Sequence, residues 1–68
     1  MDQQDVILGF ETRAKRLGVT IRDVCKAAGI NQSTFSQWKR REGRPFVNAK
    51  FSSLAAIDLA LRNMEHGQ

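Results

Sequence analysis

The sequence predicts an all-α fold, a single small domain over residues 1–68 built from about four short helices. Three observations carry this expectation. Apolar residues recur at three- and four-residue steps in four separate stretches, strand-like alternation is nearly absent, and glycines stand where the first two stretches end. A chain of 68 residues allows one hydrophobic core and no second domain.

The first helix is expected over about Gln3 to Leu17, with Val6, Ile7, Phe10, Ala14 and Leu17 on one face. Asp2 or Asp5 suits its N-terminal cap, Arg13, Lys15 and Arg16 suit its last turn, and Gly18 suits a left-handed stop. A second helix follows Thr20, with Asp23 placed as in a capping box and Ile21, Val24, Cys25 and Ala28 on the apolar face. Gly29 breaks it. Asn31 caps a third helix over about Gln32 to Arg40 or Arg41, on which Phe35 and Trp38 point inward. Gly43 and Pro45 then interrupt the chain, and residues 42–50 read as a loop. The fourth helix spans about Ser52 or Ser53 to Glu65, with Leu54, Ile57, Leu61 and Met64 toward the core.

Composition removes several classes of function. The longest apolar runs, such as Val6-Ile7-Leu8, are far too short to cross a bilayer, and the opening MDQQD lacks the basic start of a signal peptide. The lone cysteine, Cys25, excludes an internal disulfide framework and fits a reducing compartment, so a cytoplasmic protein is expected. Cys25 and the single histidine, His66, do not make a metal site. No constellation of catalytic groups stands out, so neither an enzyme, a cofactor nor a small-molecule ligand is expected.

Charge is placed unevenly. Residues 1–12 hold Asp2, Asp5 and Glu11 and no base, whereas residues 13–50 hold ten Lys or Arg against Asp23 and Glu42 alone. The formal net charge of +4 therefore hides a central segment of +8, flanked by acidic ends. A basic concentration of this kind points to a polyanionic partner.

Residues 20–40 read TIRDVCKAAGINQSTFSQWKR. The small Cys25 sits where two helices would cross closely, and Gly29 follows where a tight turn needs positive φ. Ile30 plugs the space between the helices, and Val24, Ala28, Phe35 and Trp38 complete the inward set. This segment resembles the helix-turn-helix of phage repressor and Cro-type regulators, in which Ala usually stands at the position of Cys25. The stretch from Ser53 through Leu61 is similar to the helix that follows the motif in those proteins. The resemblance implies a lambda-repressor-like domain in a phage or prophage transcription regulator, acting on double-stranded DNA in a bacterial cytoplasm. Two alternatives stay open. QWKR followed by KFSSL is similar to small phage activators that work as tetramers, and the same fold also serves as an antitoxin-like protein-interaction module.

In the family, the third helix enters the major groove. The side opposite Phe35 and Trp38 carries Ser33, Ser36, Gln37 and Arg40, with Gln32 at the N-terminal edge, and the matching family positions read base edges. Gln32 and Gln37 suit paired hydrogen bonds to adenine. Lys39, Arg41, Arg44 and Lys50 cluster after this helix and Arg22 and Lys26 lie on the second, all expected at phosphates. The N-termini of the second and third helices are expected to donate backbone N–H groups there too. On the fourth helix Leu59 points away from the core-facing leucines and is the expected assembly residue of a homo-oligomer, most simply a dimer.

Overall fold

A computed structural model describes residues 2–67. Four helices succeed one another, α1 (Gln3–Leu17), α2 (Ile21–Ala28), α3 (Gln32–Gln37) and α4 (Phe51–Glu65), and no strand forms among the described residues. The Asp2 carboxylate accepts from the Gln4 N–H at the start of α1. Thr20 and Asp23 form the reciprocal capping box at the start of α2.

α1 and α2 stop in the same way, and each stop sets the direction in which the chain leaves the helix. Gly18 and Gly29 both take φ of +74°. The N–H of each glycine returns to a carbonyl three residues back, and the N–H of the next residue returns five back, Val19 to Ala14 and Ile30 to Cys25. This is the Schellman arrangement, and the half-buried Val19 and Ile30 supply its usual apolar contact. A Cβ built on Gly29 would meet nothing within 4 Å. Glycine is therefore needed there for the left-handed backbone and not for space.

The core is entirely apolar. Ile7, Phe10 and Ala14 of α1, Val24 and Cys25 of α2, Phe35 of α3, Trp38 just beyond it, and Ile57, Ala60 and Leu61 of α4 are buried. Ala28, Ile30, Leu54 and Met64 pack against this cluster half-buried. The Phe35 and Trp38 rings lie 5.5 Å apart at a 51° tilt, between the edge-to-face and stacked arrangements that aromatic pairs favour. Burial pushes the Cys25 thiol pKa up, which disfavours the thiolate and suits a packing residue. The backbone of α4 comes close to both α1 and α2, whereas that of α3 comes close to α2 alone among the helices.

Three expectations are corrected. α3 ends at Gln37 and does not reach Arg40 or Arg41. The reason is competition for its last backbone groups. To continue, the Gln37 and Trp38 carbonyls would accept from the N–H groups four residues on. Instead Gln37 accepts from the Val47 N–H at 2.8 Å, and Trp38 accepts from the side-chain amides of Gln3 and Gln4 at 3.0 and 2.9 Å. Asn31 occupies the N-cap position of α3, but its side chain makes no capping bond. α4 starts at Phe51, before either serine, from an N-cap Lys50 that likewise makes no side-chain cap.

Arg13 joins the two long helices. Its guanidinium donates to Asp58 of α4 at 2.7 Å and to both oxygens of Glu65 at 2.8 and 2.9 Å, while Arg62 reaches Asp58 at 3.0 Å. Hydrogen bonding from Arg13 holds the Glu65 carboxyl below the usual range, and the two carboxylates raise the Arg13 pKa further. A carboxyl whose folded pKa is depressed stabilises above its unfolded value and loses that contribution as pH falls through the folded value. Arg13→Gln should therefore lower Tm at neutral pH, and the gap to wild type should close below about pH 4, near and under the ordinary carboxylate pKa. Thermal unfolding followed by circular dichroism across pH checks this. A gap independent of pH would assign the role of Arg13 to packing of its stem.

Candidate nucleic-acid interface

The outer face of α3 follows from its inner one. With Phe35 and Trp38 in the core, a rotation of about 100° per residue turns Ser33 to the far side, puts Ser36 and Gln37 on either side of it and leaves Gln32 on one flank. Gln32, Ser33 and Gln37 are exposed, and Ser36 is half-buried. These four side chains are uncharged donors and acceptors on a short helix.

Cations stand on both sides of this face. Toward α2, Arg22, Lys26 and Asn31 share a shallow cleft with Gln32 and Ser33. Toward the loop after α3, Lys39, Arg41 and Arg44 share another with Ser33, Ser36 and Gln37. Ser33 borders both. The loop side is shaped by a turn in which the Arg44 N–H donates to the Arg41 carbonyl at 3.1 Å, with Gly43 at φ +78° in its corner. The turn pairs Arg41 and Arg44 across a single bridge. The Arg41 guanidinium also donates to the Ser36 hydroxyl, which ties the loop to α3.

The cations differ in whether they are already engaged. Among the described residues Arg22, Lys26, Arg41, Arg44 and Lys50 form no ion pair, whereas Lys39 donates to Glu11 of α1 at 2.7 Å. Lys39 is thus brought to the cleft but neutralised there. Arg40, expected on the reading face of the third helix, lies beyond its end. Its N–H donates to the Gln4 side chain at 2.8 Å, and its guanidinium sits 5.1 Å from the Phe46 ring centre. Lys50 is exposed at the start of α4 and lines neither cleft. The N-terminus of α2, expected to face a phosphate, has its Asp23 N–H taken by Thr20 and a carboxylate, Asp23, in its first turn. That charge opposes an incoming anion.

Three participants escaped the sequence reading. Gln3 and Gln4 hold the loop that carries the arginines, and Glu11 takes Lys39. All three act over sequence separations of 28 to 46 residues, for which local spacing carries no signal. The described residues contain no group of His, Cys, Asp and Glu able to hold a metal ion, and no described helix is long and apolar enough to cross a membrane. Comparison with protein-family models, curated proteins and solved structures finds no match to this chain.

Proposed function

We propose that this chain is a sequence-specific, double-stranded DNA-binding transcription regulator of phage or prophage type, with α2 and α3 as a lambda-repressor-like helix-turn-helix. One observation carries the reading: an exposed helical face of uncharged hydrogen-bonding side chains is bordered on both sides by cations, of which Arg22, Lys26, Arg41 and Arg44 form no ion pair among the described residues. A helix of this width fits the B-DNA major groove, where amide and hydroxyl side chains discriminate bases and flanking cations meet phosphates. Gln32, Ser33, Ser36 and Gln37 read base edges. Arg22, Lys26, Arg41 and Arg44 hold the backbone, and Arg40 and Lys50 add longer-range attraction.

Salt dependence and site selection test the reading together. Binding to duplex should weaken with salt along a log–log slope of roughly −3 to −6 per protomer, and selection from random duplexes should enrich one sequence. Gln37→Ala should cost about 1–3 kcal/mol on that sequence and relax the preference at one base pair. Arg44→Ala should weaken all sequences equally and reduce the slope by about 1. A flat salt dependence sinks the electrostatic half of the proposal. Uniform loss in both variants means that α3 does not face the bases. Duplex binding without any enriched sequence favours an interaction module instead.

A helix of six residues is about 9 Å long, close to three base-pair steps, so one protomer reads little sequence. We therefore assign a homodimer that spans two half-sites one turn apart. Its contact is the outward stripe of α4, where Phe51 is 85% and Leu59 58% exposed and Ala55 lies between them. Across a two-fold axis one substitution acts twice. Leu59→Asp should shift the protein to monomer, weaken binding of a full operator far more than of a half-site, and leave the fold intact. Light scattering and duplex titration check this, and equal masses for both proteins would move assembly to another surface.

A further inference from the structure

Two adjacent glutamines at the start of α1 make five hydrogen bonds to the stretch that comes after α3. The Gln3 amide donates to the Trp38 and Val47 carbonyls, both at 3.0 Å, and its oxygen accepts from the Ala49 N–H at 2.9 Å. Gln4 donates to the same Trp38 carbonyl at 2.9 Å, and its oxygen accepts from the Arg40 N–H at 2.8 Å. Each amide thus works as donor and acceptor at once, and Gln3 alone ties the beginning of the stretch to its end. Between those ends lie Arg41 and Arg44, on a mostly exposed segment whose own backbone N–H groups beyond Trp38 supply the Lys39 bond to Ser36, the Arg41–Arg44 turn and the Val47 bond to Gln37. Trp38 at one end is buried and Ala49 at the other packs half-buried against the core, but no residue between them is buried, so the core anchors the ends of the segment and not its middle.

We infer that Gln3 and Gln4 are positioning residues for duplex binding: they hold the 38–49 segment closed so that Arg41 and Arg44 are presented beside α3 before a phosphate arrives. The inference rests on the DNA-binding reading above and adds two residues that need touch no nucleotide. A free segment must be ordered at the moment of binding, and that cost is subtracted from affinity. A segment already clamped avoids it.

The test is the double variant Gln3→Met, Gln4→Met, in which the side chains keep their length and lose their strong donors and acceptors. Helical content should persist, because no core residue is changed. Amide exchange at Arg40 and Ala49 should accelerate at least tenfold. Affinity for random duplex should fall roughly tenfold, as expected when several side chains must be ordered on binding. The salt slope should shrink by about 1–2 as Arg41 and Arg44 lose their fixed places, while the selected base sequence stays the same. A merely structural role would not move the slope. Wild-type affinity and slope in the double variant overturn the inference, as does weaker binding with unchanged exchange and slope. Should the double variant fail to fold, Gln4→Met keeps all three bonds of Gln3 and carries the same test at the Arg40 amide, with a slope change of about 1. If wild-type protein binds no duplex, the functional reading fails and this inference with it. Slow exchange at Arg40 and Ala49 would then mark a clamp that serves the fold alone.

Discussion

The Trp38 carbonyl is the point on which the arrangement around α3 depends. In a continuing helix it would accept from a residue one turn on; here it accepts from two side chains of α1 instead. The neighbouring Gln37 carbonyl goes to Val47 and the Arg40 N–H to Gln4. Backbone polar groups near a core have to be paired with something, and at this point the tertiary partners outcompete the helical ones. The consequence runs outward. α3 stops after six residues, the chain turns away, and the arginines beyond it return alongside the helix on a separate loop. Trp38 remains in the core while its carbonyl secures the polar layer above it.

The acids are used where they hold helices together. Glu11 takes Lys39, and Asp58 and Glu65 take Arg13 and Arg62, so that α1 is linked both to the end of α3 and to α4. Asp2 and Asp23 serve as helix caps. Arg22, Lys26, Arg41 and Arg44 are left without acidic partners among the described residues, and positive potential accumulates beside the exposed, uncharged hydrogen-bonding face of α3. Exposed ion pairs contribute modestly to stability. Their further effect is to engage Arg13, Lys39 and Arg62, so that these three cations are held within the domain.

The fold and the interface divide by the range of the interactions that make them. Helix positions, the inward residues and both glycine stops follow from local rules: apolar spacing at 3.6 residues per turn, a threonine–aspartate capping box, and the left-handed conformation that Gly18 and Gly29 adopt without strain. The outward set Gln32, Ser33, Ser36 and Gln37 was equally legible, because once Phe35 and Trp38 are buried the opposite face of the helix is determined. Leu59 was legible for the same reason.

Only the tertiary structure decided where α3 ends and which cations stand free. Trp38, Lys39 and Arg40 are acceptable helix formers, and nothing local predicts that glutamines 34 to 46 residues away will take the backbone groups around them. Lys39 and Arg44 look alike as residues in a basic run, yet one meets a carboxylate of α1 and the other meets none among the described residues. By itself the sequence determined the helices, their inward faces and the sign of the charge near α3, because those depend on neighbours along the chain. The length of α3, the course of the basic loop and the set of unpaired cations depend on groups that only folding brings together.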